Sequence, residues 1–181
     1  MSTRIDKVTL DRIELLHPNI REEVRKIYTE QIVPSLSGRA ICRFAYTLRT
    51  FAEQDALFAQ GRTRLFDANG RRLGVVTQAK GGQSIHNYGL ALDIVLLEDK
   101  DGNGTFEAAS WDTAKDFDSD KQSDWMEIVN IFKRNGWTWG GDWTRFKDRP
   151  HFEKPFGHTW RTLKAKHDKK DFIPGTNYVK I

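Results

Sequence analysis

The stretch GGQSIHNYGLALDIV, residues 81–95, places a carboxylate where a strand should be apolar. Asp93 stands among Leu90, Ala91, Leu92, Ile94 and Val95, a run that reads as buried core. A buried charge without a partner is very costly, so the fold must bring Asp93 a partner. His86, seven residues earlier, is the first candidate to share an ion with it. In a straight strand that separation spans roughly 23 Å and points the two side chains to opposite faces. The intervening Asn87-Tyr88-Gly89 contains turn residues, however. A bend there folds His86 back over the strand that carries Asp93.

A catalytic zinc site takes three protein ligands and keeps one position open for water. The third ligand must come from elsewhere in the chain. His17, His158 and His167 lie in polar or terminal contexts, whereas His151 lies in FKDRPHFEKP. Pro150 disfavours helix for the residue before it, so this stretch is extended. His151 and Glu153 then share a face and Phe152 points into the core. A lone His beside Phe is more often structural than a ligand. Asp148, three residues before His151, tips the balance, because a carboxylate near an activated water is what general-base chemistry requires.

The rest of the chain reads as one α+β domain, helices packed on a small antiparallel sheet. Residues 19–32 put Ile20, Val24, Ile27 and Tyr28 on one helical face, with Asn19 as cap and Pro34 and Gly38 as stops. Residues 38–46 read as a strand. Residues 50–60 read as a helix with Thr50 as cap, Glu53 three residues on, and Gly61 as stop. Asn69-Gly70 marks a hairpin-like turn. Residues 124–135 form the clearest helix: Trp125, Ile128, Val129 and Phe132 share a face, Asp124 caps it and Gly136 ends it. The domain spans 1–181, with its core at about 19–164, an acidic insertion at 98–122 and a polar tail at 165–181. Trp137, Trp139 and Trp143 are expected in core packing, with glycan contact by one exposed Trp as the alternative.

Composition narrows the classes. The 181 residues, 38% hydrophobic and 30% charged, suit a single globular domain. A net charge of +4 permits contact with polyanions, yet no dense basic block favours nucleic acid. The single Cys42 allows neither an internal disulfide nor a Cys-rich zinc site, and reads as a small core residue. The N-terminus shows no signal peptide, and no apolar run is long enough to insert in a membrane. The expectation is a monomer made in the cytoplasm.

Two blocks resemble a known family. SIHNYGLALD, 84–93, fits the S-x-H-x-x-G-x-A-x-D motif of the zinc D-alanyl-D-alanine carboxypeptidases and L-alanyl-D-glutamate endopeptidases, which cut peptidoglycan stem peptides. WGGDWTRFKDRPHFE, 139–153, is similar to the endopeptidase branch, which includes phage endolysins and bacterial autolysins. Upstream, YTLRTFAEQDALFAQGRT, 46–63, resembles the family's Arg-(Ser/Thr)…Gln…Leu block. The matched blocks run from about 41 to 157.

The resemblance implies a carboxypeptidase/hedgehog-like fold with zinc held at the sheet by His86, Asp93 and His151. It implies Asp148 as the catalytic carboxylate and Arg49 on substrate or the developing oxyanion. Ser84 and Gln54 match motif positions expected to touch substrate or to support the side chains that do. Asp148-Arg149-Pro150-His151 replaces the Glu-x-x-His of the carboxypeptidase branch, which favours the endopeptidase reading. The implied substrate is the peptidoglycan stem, reached once the protein is released to the cell wall. Two alternatives remain open: a D,D-carboxypeptidase or dipeptidase, and a non-catalytic wall-binding module.

A second metal is expected in DKDGNGTFE, 99–107, which resembles the start of an EF-hand calcium loop. Asp99, Asp101 and Asn103 fall at positions 1, 3 and 5, Gly104 at 6, Thr105 at 7 and Glu107 at 9. Ser110 stands at position 12, where the pattern has a bidentate Glu.

Overall fold

The apolar run around Asp93 is strand β2 (Ala91–Glu98) in a computed structural model that describes residues 4–181. β2 is the middle of a five-stranded sheet. Along one side it pairs antiparallel with β1 (Ala40–Tyr46), whose register slips between Phe44 and Tyr46. Along the other it pairs with β5 (His151–Glu153) near its start and with β3 (Ala108–Ser110) near its end. β4 (Thr138–Trp139) pairs with β5. Alternation puts Leu92, Ile94 and Leu96 on one face of β2 and Asp93, Val95 and Leu97 on the other.

The first face carries the core. Leu92, Ile94 and Leu96 belong to one buried cluster with Phe44 and Phe152, and with Ile20, Val24, Trp125, Ile128 and Phe132 from the helices. Cys42 is buried in the same cluster, as its apolar setting suggested. The α+β expectation holds.

The helices depart from expectation at their ends, for local reasons. α2 (Pro18–Lys26) starts at Pro18, and its cap is His17, not Asn19: the His17 ring accepts from the Asn19 N–H at 3.3 Å. It runs on as a π-helical segment, Ile27–Ile32, and then α3 (Val33–Ser35). Pro34 does not stop it, because proline is tolerated in the first turn of a helical segment. α4 (Phe51–Ala59) has the expected capping box between Thr50 and Glu53. α5 (Asp124–Arg134) is capped by Ser123, so Asp124 takes the first helical position and is buried. α6 (Trp160–Asp168) closes the element order.

The ordered body is wider than 19–164. α1 (Lys7–Ile13), unanticipated in the sequence, is capped by Asp6, which also receives two hydrogen bonds from Arg43 of β1, at 2.9 and 3.0 Å. The polar segment 165–181 is anchored: Val179 is buried, and its carbonyl accepts from His17 at 2.8 Å.

Candidate metal centre

Asp93 and His151 are register partners on neighbouring antiparallel strands, so their side chains rise side by side from the face opposite the helical core. His86 arrives from a 3-10 turn, Ile85–Tyr88, that ends in Gly89 at φ 69°. A side chain at 89 is excluded twice over. That φ strains any L-residue, and a Cβ would lie 2.7 Å from the His17 backbone nitrogen. This is the bend that the motif required. It sets His86 Nε2 at 3.1 Å from Asp93 Oδ1 and 3.1 Å from His151 Nδ1, which lies 3.2 Å from the same Asp93 oxygen.

The outer ring nitrogens fix what the inner ones offer. His86 Nδ1 lies 2.7 Å from the Thr47 carbonyl, which only accepts, so Nδ1 carries the proton and Nε2 faces inward with its lone pair. His151 Nε2 donates to Glu153 at 2.9 Å, leaving Nδ1 inward in the same way. Two lone pairs and a carboxylate oxygen therefore converge on one point, with no donor of their own among them. A cation completes such a set. Donors about 3.3 Å apart suit a tetrahedral ion with bonds of about 2.0–2.1 Å, so the residues fit a small metal of zinc's kind.

Where protons rather than a cation fill this convergence, the inward ring nitrogens become donors to Asp93 and the charges are set as follows. Burial raises the Asp93 carboxyl, but the His86 charge and hydrogen bonds from His151 and His86 outweigh it and hold the group far below the usual range. Burial lowers His151, yet its bonds to Asp93 and Glu153 win and push it up to about 9. Enclosure in the cleft and repulsion from Asp93 raise the Asp148 carboxyl, opposed by His151, His86 and Arg49.

The three donors sit in a cleft of about 1180 Å³ whose walls also include Arg49, Ser84, Trp143 and Asp148. Asp148 is held by its backbone: its N–H donates to the Gly140 carbonyl at 3.1 Å, and its carbonyl accepts from the His151 N–H at 3.2 Å. Gly140 makes this possible, since a Cβ there would collide with the Asp148 carbonyl and crowd the His151 Cβ at 3.2 Å.

Arg49 is no free surface group. Its side chain is only 12% exposed, with one nitrogen 3.4 Å from Asp93 and another 2.9 Å from Gln54. Gln54 itself is 0% exposed and donates to the Ala79 carbonyl at 2.8 Å. Gln54 thus takes the supporting role of the two open to it and orients Arg49 from below. Ser84 stays on the cleft wall.

The sequence reading passed over three contributors. Asn87, read only as a turn residue, donates to the Arg49 carbonyl at 2.8 Å and accepts from Gly82 and Ser84, locking the turn. Glu153 was placed on the His151 face without the role that its position gives it. Trp143 is not core: it lies beside His151, the rings tilted at 48° with centroids 5.1 Å apart. Trp137 and Trp139 are buried as expected. Of the histidines set aside, His17 is buried against Val179, whereas His158 reaches the cleft wall.

In the turn 99–107, Asp99 accepts from the Asn103 and Gly104 N–H groups at 3.1 and 2.8 Å. Asp101 accepts from Asn103, and Glu107 from the Thr105 hydroxyl. No buried side-chain oxygen of this turn lacks a hydrogen-bond partner.

Residues 77–154 match the sequence model of a family described as D-alanyl-D-alanine carboxypeptidase. That segment contains His86, Asp93, Asp148 and His151, and the resemblance read from the motifs is borne out. Among individual relatives, the chain is 48% identical over 105 residues to the peptidoglycan L-alanyl-D-glutamate endopeptidase CwlK of Bacillus subtilis (strain 168). The match covers 58% of this chain and 55% of the relative, so the chain spans about half the length of that curated protein. The fold is similar to the crystal structure of the L-Ala D-Glu endopeptidase ChiX of Serratia marcescens, with a TM-score of 0.53 at 20% identity, covering 90% of this chain and 94% of that one. Among the described residues no helix is long and apolar enough to cross a membrane.

Proposed function

We propose that this chain is a zinc-dependent endopeptidase that hydrolyses the L-alanyl-D-glutamate bond of peptidoglycan stem peptides. The observation that carries the reading is the inward convergence of His86 Nε2, His151 Nδ1 and Asp93 Oδ1, each backed by an outer partner. The likeness to CwlK supports the choice of bond. Zinc bound there supplies Lewis acidity, lowering the pKa of a water toward ~7 and polarising a carbonyl.

The protein's own groups do the rest. Asp148 takes a proton from the attacking water as its oxygen bonds to the peptide carbonyl carbon. It then delivers that proton to the leaving amine as the C–N bond breaks. Its raised pKa suits a group that must hold the proton between those steps. Arg49, held by Gln54 and Asp93, keeps further N–H donors for a substrate oxygen or the D-Glu carboxylate. Ser84 contacts the stem from the cleft wall. The protein acts as a monomer on the cell wall once released to it, and binds neither nucleic acid nor the membrane interior.

The test is a digest of purified peptidoglycan read by mass spectrometry, with the parent and Asp148→Asn side by side. The parent releases peptides that begin with D-Glu and leaves L-Ala on the glycan. Asp148→Asn keeps its metal and melting temperature but loses about 10²–10⁴-fold in rate. Loss of a single terminal Ala would instead indicate a D,D-carboxypeptidase. Binding without cleavage would indicate a wall-binding module. Undiminished cleavage by Asp148→Asn would overturn the mechanism.

A further inference from the structure

The acidic insertion runs into a second cluster, distinct from the turn at 99–107. Asp116, Asp118 and Asp120 each bring a carboxylate oxygen within 4.8 Å of the others. Asp at every second residue supplies positions 1, 3 and 5 of a calcium loop. Counted on from Asp116, Gln122 falls at position 7, Asp124 at 9 and Glu127 at 12, the place of the bidentate Glu. Position 6, where the pattern has Gly, is Lys121, and the backbone makes the sharp turn there all the same, at φ 75°. α5 begins at Asp124, so its first turn carries positions 9 and 12.

Acidic turns are common without ions, and the clustering alone decides nothing. The deciding observation lies underneath. Asp124 is 0% exposed, and its Oδ1 has no hydrogen-bond partner. Its other oxygen accepts from the Phe117 N–H at 2.6 Å, between Asp116 and Asp118, and both of those carboxylates repel the Asp124 charge. Glu127 Oε2 is likewise buried with no partner. A buried carboxylate oxygen left unsatisfied is costly. Among the described residues, none of Asp116, Asp118, Asp120, Asp124 or Glu127 forms an ion pair. Lys115, next to the cluster in sequence, is paired with Glu98 instead. Burial, with Asp118 and Asp116 adding repulsion, pushes Asp124 up to about 6.

We propose that residues 116–127 form a calcium-binding loop, with Asp116, Asp118, Asp120, Asp124, Glu127 and the Gln122 carbonyl as its oxygen ligands. The set is all oxygen and numerous, which suits calcium's 6–8 ligands better than zinc, or than magnesium's strict octahedron. The ion would fasten the insertion to the first turn of α5, whose Trp125, Ile128 and Phe132 are core residues. The inference does not depend on the proposed peptidase activity.

The experiment uses the full chain loaded with zinc, freed of other metals, and titrated with calcium chloride by calorimetry and thermal melting. Calcium raises the melting temperature by about 5–10 °C at roughly 100 times its dissociation constant. Magnesium at the same concentration does so far less. Asp120→Asn, at an exposed position, weakens calcium at least about tenfold, and Glu127→Gln weakens it further. Asp101→Asn, in the other turn, leaves the response intact. No heat and no shift up to about 10 mM calcium, above the range of extracellular calcium modules, overturns the proposal. So does a response that survives Asp120→Asn, or one abolished by Asp101→Asn alone.

Discussion

Glu153 holds the Nε2 proton of His151 and so decides which nitrogen of that ring faces Asp93. Outer partners of this kind typically tune metal affinity by 10–100-fold. Glu153→Ala is expected to weaken zinc binding by about that factor in competition with a chelating dye, with the fold retained. Unchanged affinity would show that the ring needs no such support. At this scale the sequence was most informative about groups whose chemistry conflicts with their surroundings. Asp93 among aliphatic residues, and His151 after Pro150, announced themselves. Gln54 and Trp143 did not. Whether a polar residue faces substrate or supports another side chain depends on which elements cover it, and whether an indole packs inside depends on where the chain turns. Spacing encodes neither.

At the scale of elements, the apolar periodicity of α2, α4 and α5 was legible, while their exact caps were not. His17 and Ser123 displaced Asn19 and Asp124 because a cap is settled by which side chain reaches the free N–H groups. α1 escaped notice because it is short and held from outside, through Asp6 to Arg43. That bond makes a prediction for α1 and β1 together. Burial raises the Asp6 carboxyl, but hydrogen bonds from Arg43 and Thr9 prevail and lower its pKa in the folded protein. A lowered folded pKa means stability present above the unfolded value, ~3.9, and lost as pH falls through the folded one. Asp6→Asn should cost about 2–3 kcal/mol in urea unfolding at neutral pH. It should also flatten the loss of stability on acidification. An Asn variant as stable as the parent, with the same acid profile, would rule this out.

For the molecule as a whole, the motif order made the two ends of the site legible, but not the strand order that joins them. His151 becomes the neighbour of Asp93 only because β5 lies against β2, a pairing between segments far apart in the chain. Nothing local in either segment specifies it. The central place of β2 has a consequence for how the protein opens. Its backbone amides bond to neighbours on both sides, so deuterium should enter them only through global unfolding. The carboxylate most important to the site thus rides on the slowest-exchanging strand, whereas His86 rides on a short turn and Asp148 on a loop. Stripping the ion with a chelator should quicken deuterium uptake at 84–88 and 143–150 while leaving 92–97 unchanged, as if the anvil stayed fixed and only the jaws loosened.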